Sequence, residues 1–552
     1  MTTSSRRRRG MADLSFWRRP RLLIPAVAGP MAETGILLAL GARGAAALGP
    51  QVTAPPPFDV FHDLRWVSVY HNSWVGFVLE IALVLCLRSA YTAWLVQRAW
   101  PDQSEAPSMP AAFVRAIAFY AVAALLLVPW VVLMFGFAFS GLSWLYLAAL
   151  PPMIAIALVI HRGALSHAAG NIWDWRPRRS SVAWVAAAFL WLSAAGALIS
   201  DGPLPLGIAA AGAAGLLNAR AAFSIAAGIA DRRRPSPRRF RFAVPVALGA
   251  IFAVTIGGAV AGFAAADRPK PPPIPRRLPS HASGQPVLVV SGFNSRWVRA
   301  EAFPVPRGFT EWRYSYAGVG PLGRLLPYGP KDTLQPLDVS ARRLAEQVAL
   351  LHAAYDRPVT IVAESEGALV ARYFLTELYR PGSSAVNRVA LLDMPPFDPA
   401  IYYPARAQSD GWGIASGWGL RGLTEVIESL GPLEISADAP MLRELADCPA
   451  LSARVVHEPA PPGVTEVSFL ALGDAVDGTA GAPTGSPAYV VTAPHGGLIH
   501  DRSVRQGLWD MMTGRPIAPD LTRLDLVRFV SAVSNAWHAP GLLPGLGPAR
   551  EC

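Results

Sequence analysis

Apolar segments long enough to cross a membrane fill the first 266 residues of the chain. A transmembrane helix needs about 20 mostly apolar residues, because each residue adds only about 1.5 Å to its length. Seven segments meet this requirement, at residues 22–42, 74–96, 115–138, 143–161, 181–200, 205–229 and 243–265. A cleaved signal peptide would account for only one of them. The sequence therefore predicts a basic tail at 1–21 and a multi-span α-helical membrane domain of about seven helices at 22–266.

Arginine is distributed unevenly between the two sides that seven spans would define. Eighteen arginines lie before the first span or in the second, fourth and sixth connections, whereas the alternate connections hold only Arg43 and Arg65. Positive residues concentrate on the cytoplasmic side of membrane proteins. The pattern predicts a multi-pass protein of the cell (plasma) membrane with a cytoplasmic N-terminus. Because the number of spans is odd, everything after residue 266 is expected on the extracytoplasmic side.

The composition agrees with a membrane-embedded half and argues against nucleic-acid binding. Of the 552 residues, 52% are hydrophobic and only 16% are charged. The net charge of +11 comes mainly from arginine clusters between apolar segments, which marks it as a determinant of topology. The three cysteines lack metal-ligand spacing, and we predict no metal and no cofactor. Abundant Ala, Arg, Gly and Pro are typical of proteins from high-GC bacteria.

Some polar residues lie within or between the predicted spans. Those within spans are Glu33, Glu80, Arg88, Asn218 and Arg220, which we expect to pair inside the bundle or to reach the membrane surface. The connecting segment FHDLRWVSVYHNSW carries three candidate metal ligands, His62, Asp63 and His71. Their irregular spacing, without a third histidine, favours an interfacial aromatic anchor over a metal site.

The character of the sequence changes after residue 266. Residues 267–284 form a proline-rich, semi-rigid linker. From residue 285, short β-branched runs alternate with amphipathic stretches, which predicts βαβ units and a mostly parallel sheet. The clearest predicted strands lie in PVLVVSG (286–292), EWRYSYAGVG (311–320), PVTIVA (358–363), NRVALLDMPPF (387–397) and TEVSFLALGD (465–474). Residues 541–552 are a C-terminal tail.

The stretch AESEG, residues 363–367, lies between the strand PVTIVA and the helical segment ALVARYFL. A tight turn between a strand and a helix exposes a serine hydroxyl above the sheet and directs a helix N-terminus at developing negative charge. Such a turn needs small residues two positions before and after the serine, and Ala363 and Gly367 meet this need. Ser365 is therefore the candidate nucleophile.

A serine hydroxyl needs a base to remove its proton, and the base needs an acidic group to orient it. These groups should follow the serine in the order acid, then histidine. His495, in VTAPHGGLIHD, lies in a Gly-flanked loop before a helix and is favoured as the base. Asp474, at the end of TEVSFLALGD, is favoured as the acid. The alternates are His500 for the base and Asp477 and Asp393 for the acid.

Backbone N–H groups should bind the developing oxyanion. The N–H of Glu366 is one expected donor, and that of Phe293, in the loop after PVLVVSG, is the other. Two carboxylates beside the serine, Glu364 and Glu366, would oppose a negative transition state. Pairing of one or both with Arg372 is the slightly favoured alternative.

Residues 285–540 resemble an α/β-hydrolase of the lipase and esterase branch. The stretches that carry the resemblance are VLVVSGFN, RYSYAGVG, VTIVAESEGALVARYFL, LALGDAVDG and APHGGLIHD. The resemblance implies a serine hydrolase of acyl esters, with a lid or cap in the insertion at 397–464. The family elbow usually reads Gly-His-Ser-x-Gly, and Ala363 and Glu364 depart from it.

The sequence thus predicts a membrane-anchored serine hydrolase of the lipase or esterase type that acts on the extracytoplasmic side. Its expected partners are the lipid bilayer and an acyl-ester or lipid substrate, without nucleic acid. Two alternatives stay open: an acyltransferase that uses the same triad, and a non-catalytic membrane scaffold or sensor with a hydrolase-like domain. No prediction of the oligomeric state follows.

Overall fold

The computed structural model contains a group of apolar helices in the N-terminal half and a sheet with flanking helices in the C-terminal half. The residues that it describes are 20–99, 106–136, 179–230, 283–297, 305–380, 382–395, 404–430, 436, 438–471, 485–491, 498–517, 533, 535–541 and 543.

Long helices account for most of the described N-terminal half. They are α1 (Pro20–Ala39), α2 (Phe58–Tyr70), α3 (Trp74–Ala99), α4 (Met109–Gly136), α5 (Arg179–Asp201) and α6 (Leu204–Ala230). Within the described residues, three stretches are long and apolar enough to cross a membrane: Trp74–Arg98, Ala183–Asp201 and Leu204–Ser224. Helices α1 and α4 contain shorter apolar stretches and also coincide with predicted spans. The predicted spans 143–161 and 243–265 lie outside the described residues, so the number of seven stays a prediction.

One face of α3 exposes a stripe of large apolar side chains. Val75, Leu79, Leu83 and Leu87 recur every four residues, and each is more than half exposed. Residues at this spacing share one face of a helix. A contiguous apolar surface of this kind marks a site of protein or membrane contact. Together with the length of the helix, the stripe indicates that this part of the chain associates with a membrane.

A single six-stranded sheet organises the C-terminal half. Its strands are β1 (Gln285–Val290), β2 (Phe309–Arg313), β3 (Val359–Glu364), β4 (Val386–Leu392), β5 (Thr465–Ala471) and β6 (Ala488–Val491). They are arranged in the order β2-β1-β3-β4-β5-β6, and every neighbouring pair is parallel. The mostly parallel sheet that the sequence predicts is confirmed, and it fits an α/β-hydrolase fold.

Helices cover both faces of this sheet. They are α7 (Leu337–Tyr355), α8 (Glu366–Tyr373), α10 (Pro440–Asp447), α11 (Pro449–His457) and α12 (Arg502–Thr513), while α9 (Ile414–Leu430) precedes α10 in the chain. In β1, Leu288 and Val290 belong to the core cluster on the α7 and α8 side, whereas Val287 and Val289 belong to the cluster on the α12 side. A parallel strand buried on both faces needs such a continuous apolar run.

The C-terminal segment packs into the N-terminal helices. Trp537 is 1% exposed, and its ring stacks on Phe189 of α5 with a centroid distance of 4.7 Å. The Trp537 indole N–H donates to Ser193 Oγ over 2.8 Å. On the other side, Gln51 Nε2 and an Arg65 guanidinium nitrogen donate to the Ala536 carbonyl, over 2.6 and 2.9 Å. Residues 535–541, which follow α12 and the rest of the described sheet region in the sequence, are therefore bound between α2 and α5.

The insertion between β4 and β5 also contacts the N-terminal half. Its helix α9 packs against α2, α3 and α4. His71, directly after α2, binds the start of α9 through both its backbone and its ring. The Gly413 N–H donates to the His71 carbonyl over 2.7 Å, and the Ala415 N–H donates to His71 Nε2 over 2.8 Å. The following helices, α10 and α11, pack instead on α7 and α8. The insertion thus bridges the two halves of the chain.

Candidate active site

Ser365 occupies a strained turn between β3 and α8. Its backbone has φ 55° and ψ −124°, a conformation that residues other than glycine rarely adopt. Strain of this kind costs about 1–3 kcal/mol and persists only where the surroundings enforce it. Here the Ser365 N–H donates to the Leu392 carbonyl at the end of β4 over 2.8 Å, and the Ser365 carbonyl accepts from Ala368 over 2.9 Å. The turn has the geometry expected of a nucleophile elbow.

Two glycines allow the backbone to approach this turn closely. A Cβ placed on Gly367 would lie 2.5 Å from the Val290 carbonyl oxygen and 2.8 Å from that of Ser291. A Cβ placed on Gly292 would lie 2.7 Å from Ser365 Cβ. The requirement for a small residue at position 367 therefore has a steric cause, which is the end of strand β1.

We expect Gly367→Ala to reduce the predicted ester hydrolysis by about 100-fold or more, because the added methyl group displaces the end of β1 and the serine with it. The free energy of unfolding should fall by roughly 1–3 kcal/mol, as in other overpacked sites. Enzyme kinetics and denaturant unfolding measure the two effects. Gly422→Ala is the matched control, since a Cβ there meets no atom within 4 Å. Equal activity of the two variants would contradict the prediction.

The loop after β1 carries the second expected oxyanion donor. Phe293 lies in the turn after Gly292, is half-buried, and packs against the core cluster beneath it. The neighbouring Asn294 has φ 58°, and its N–H donates to Thr333 Oγ1 over 3.0 Å. The Glu366 N–H is the first of α8. Gly292, which directly precedes Phe293, packs against Ser365, so this loop passes beside the turn. The role of the two N–H groups as oxyanion donors stays a prediction.

The candidate acids and bases follow three neighbouring strands. Asp474 and Asp477 come after β5, and His495 comes after β6, but all three lie outside the described residues. Asp393 directly follows β4 and is 1% exposed. Its Oδ1 accepts from the Ala471 N–H over 2.7 Å, and its own N–H donates to the Phe469 carbonyl over 2.9 Å. These contacts join the ends of β4 and β5, so the Asp393 carboxylate has a structural role.

His500, the alternate base, ends the short 3₁₀ helix Leu498–His500. The next residue, Asp501, caps α12 by accepting from the N–H groups of Ser503 and Val504. His500 therefore precedes a helix N-terminus, as its position in the sequence suggests, and its role as a base stays untested.

Arg372 does not pair with Glu366. Its guanidinium donates to Glu466 Oε2 over 2.8 Å and to the Val455 carbonyl over 2.9 Å. Both members of the Arg372–Glu466 pair are buried, with side-chain exposures of 0% and 1%. The sequence missed this pair because Glu466 lies far along the chain, at the start of β5. Arg372 thus ties α8 to β5 and to α11.

We expect Arg372→Met to lower the free energy of unfolding by about 3–5 kcal/mol, because it leaves the Glu466 carboxylate buried without its cation. Denaturant unfolding measures the loss. Arg372→Met combined with Glu466→Leu should recover much of it, since no buried charge then remains. Arg342→Ala, which breaks an exposed pair with Asp338, should change stability by less than about 1 kcal/mol. An equally small effect of Arg372→Met would refute the prediction.

The candidate metal ligands of the N-terminal half form hydrogen bonds with other protein groups. His62 Nδ1 lies 2.8 Å from Asp63 Oδ1, and His62 Nε2 lies 2.8 Å from Glu33 Oε1. His71 uses its Nε2 to accept from Ala415, as described above. Among the residues that the structure describes, no group of three or more His, Cys, Asp or Glu side chains is placed to hold a metal ion. The segment that was expected to be an interfacial anchor forms most of the buried helix α2.

Comparison with known proteins adds little to this geometry. No protein-family model and no curated protein matches the chain. The crystal structure of Aspergillus fumigatus lipase B is similar at 10% identity with a TM-score of 0.26, over 47% of this chain and 65% of that chain. RedJ with a PEG molecule bound in the active site is similar at 16% identity with a TM-score of 0.26, over 47% of this chain and 99% of that chain. The fold assignment therefore depends on the strand order and the Ser365 turn of this chain itself.

Proposed function

We propose that this chain is a membrane-anchored serine hydrolase that cleaves acyl esters on the extracytoplasmic side of the cell membrane. The observation that carries the proposal is the strained conformation of Ser365, at the carboxyl end of a central parallel strand and at the N-terminus of a helix. Strained backbone of this kind clusters at active sites. The loop after β1 lies beside the same turn, as an oxyanion site requires.

In the proposed reaction, Ser365 Oγ attacks the ester carbonyl and His495 accepts the serine proton. Asp474 orients His495 and stabilises its protonated form. The N–H groups of Glu366 and Phe293 stabilise the oxyanion of the tetrahedral intermediate. The intermediate collapses when His495 returns the proton to the departing alcohol, and water then releases the acid from the acyl-enzyme by the same two steps.

Two features of the chain support a lipid or membrane-envelope ester as the substrate. Within the described part of the N-terminal half, three helices are long and apolar enough to span a membrane, and one of them has an exposed apolar stripe. The insertion at 397–464 contacts both that half and the sheet domain, so the proposed lid lies next to the proposed membrane domain. The bilayer is the partner that this arrangement suits, and the linker at 267–284 connects the two proposed domains.

Labelling of intact cells with a membrane-impermeant fluorophosphonate tests the proposal. We expect the wild-type chain to be labelled and Ser365→Ala not to be labelled. Ser384→Ala, in the exposed loop before β4, is the matched control and should be labelled like the wild type. Wild-type labelling no stronger than that of Ser365→Ala would disprove the role of Ser365. Labelling that requires cell lysis would disprove the extracytoplasmic orientation.

A further inference from the structure

Glu366, the residue directly after the proposed nucleophile, has a buried carboxyl group. Glu366 is the first residue of α8, and the residue as a whole is 2% exposed. Neither of its carboxyl oxygens has a hydrogen-bond partner among the described residues. A buried ionised carboxylate without a partner is very unfavourable, so such a group takes up a proton. Glu366 therefore differs from Glu466, a buried carboxylate of β5 that has both an arginine and a serine partner.

Three buried tyrosines, Tyr314, Tyr316 and Tyr328, lie near enough to this carboxyl group to respond to its charge. Tyr314 and Tyr316 follow β2, and Tyr328 comes from the loop before α7. Their rings pack edge to face, with centroid distances of 4.8 Å from Tyr314 to Tyr316 and 5.2 Å from Tyr316 to Tyr328. Burial raises the pKa of all three hydroxyls, and the nearby Glu366 raises it further.

Two arginines act on the tyrosines, and among the described residues no cation offsets the burial of the carboxyl group. Arg343 of α7 lowers the pKa of Tyr314, and Arg313 of β2 lowers that of Tyr328. On α8 itself, Arg372 is bound to Glu466. Burial raises the pKa of Glu366 well above that of an ordinary glutamate.

The tyrosine hydroxyls also bind the loop that carries Phe293. The Tyr316 hydroxyl donates to the Ser291 carbonyl over 2.7 Å, and the Tyr328 hydroxyl lies 3.2 Å from Ser295 Oγ. The loop is further attached through the backbone N–H of Trp297, which donates to the Tyr328 carbonyl over 2.9 Å. A hydroxyl has a single proton to donate, and an ionised carboxylate is a stronger acceptor than a peptide carbonyl. An ionised Glu366 would compete with Ser291 for the Tyr316 proton.

We propose that Glu366 is a positioning residue that acts as a neutral carboxylic acid: in this form it leaves the Tyr316 hydroxyl on Ser291 and so keeps the oxyanion loop in place beside Ser365. Ionisation of Glu366 draws the tyrosine away from the loop and places a negative charge next to the developing oxyanion. Both effects stop the reaction. This inference rests on the proposed serine hydrolase function, and it explains how a glutamate is tolerated directly after the nucleophile.

The pH dependence of the full-length protein in detergent micelles tests the inference, with a soluble p-nitrophenyl ester as the substrate. Because a neutral Glu366 is required, wild-type kcat/KM should fall about tenfold per pH unit above the pKa of Glu366. Glu366→Gln keeps the side-chain size and the backbone N–H but cannot ionise, so this alkaline fall should be absent or shifted to higher pH. Glu364→Gln removes the carboxyl group on the other side of Ser365 and should keep the wild-type fall. An alkaline fall in Glu366→Gln at the wild-type pH would overturn the proposal.

Hydrogen exchange measures the position of the loop without any turnover. At a pH high enough to ionise Glu366, the backbone amides of residues 291–297 should exchange faster in the wild type than in Glu366→Gln at the same pH. Equal exchange in the two proteins across the pH range would overturn the proposal. If the wild type hydrolyses no ester but shows this difference, the hydrolase function fails while the control of the loop by Glu366 stands.

Discussion

Ser365→Ala is expected to lower the hydrolysis of acyl esters by on the order of 10⁴-fold or more, because no other group forms the acyl-enzyme. The protein should still fold, since the hydrogen bonds that maintain the turn come from the backbone of Ser365. Steady-state kinetics with purified protein measures the loss, and circular dichroism checks the fold. Residual activity within tenfold of the wild type would show that another group is the nucleophile.

A comparison of Ser365→Gly with Ser365→Ala separates backbone strain from chemistry. Both variants lack the hydroxyl, but only glycine adopts a φ of 55° without a steric penalty. We therefore expect Ser365→Gly to be more stable than Ser365→Ala by about 1 kcal/mol in denaturant unfolding. Equal stability would mean that the turn is not strained in solution.

The second large effect is expected at Trp537. Trp537→Ala should lower the free energy of unfolding by about 3–5 kcal/mol, the usual cost of removing a fully buried aromatic ring. The ring is 1% exposed and stacks on Phe189, so its loss leaves a cavity between α2 and α5. Thermal unfolding in detergent measures the change. Limited proteolysis should show faster cleavage near residues 535–541, because the segment loses its main contact with the N-terminal helices.

Two control variants make the Trp537 result specific. Trp537→Phe keeps most of the ring contact and loses the hydrogen bond to Ser193, which should cost about 1–3 kcal/mol. Trp74→Ala removes a tryptophan that is 48% exposed and should have a much smaller effect. If Trp537→Ala and Trp74→Ala shift the unfolding midpoint equally, the C-terminal segment is not bound in the way that the structure shows.

Local sequence patterns were sufficient to predict five of the six strands of the sheet, whereas β6 (Ala488–Val491) was not predicted. The apolar run in PVLVVSG predicts a buried strand, and in the structure Val287 and Leu288 belong to opposite core clusters. The stretch AESEG predicts a sharp strand-to-helix turn, because it has the small residues that such a turn needs. The structure shows why position 367 must be small, since a Cβ there would meet the end of β1. These predictions succeed because the determining contacts lie within a few residues or follow a simple periodicity. The acid and the base stay predictions, since Asp474 and His495 are outside the described residues.

Contacts between distant residues were not predictable from the sequence. Nothing near residue 537 indicates a binding site for a tryptophan between α2 and α5, because Phe189 and Ser193 precede it by more than 300 residues. Two other contacts were equally unpredictable: the hydrogen bond between His71 and the start of α9, and the ion pair between Arg372 and Glu466. Each of these contacts requires that two elements be brought together by the packing of others.

The sequence by itself determined the type of each half of the chain and the identity of the candidate nucleophile, because hydrophobic periodicity and the steric needs of a tight turn are local. Only the tertiary structure decided the environment of Glu366. The sequence shows a carboxylate beside the serine, where a charge would oppose the reaction. The fold buries that carboxyl group near three tyrosines that respond to its charge, and it pairs the expected cation, Arg372, with Glu466. Burial and charge pairing depend on which distant residues surround a group, and this is what the sequence order alone does not specify.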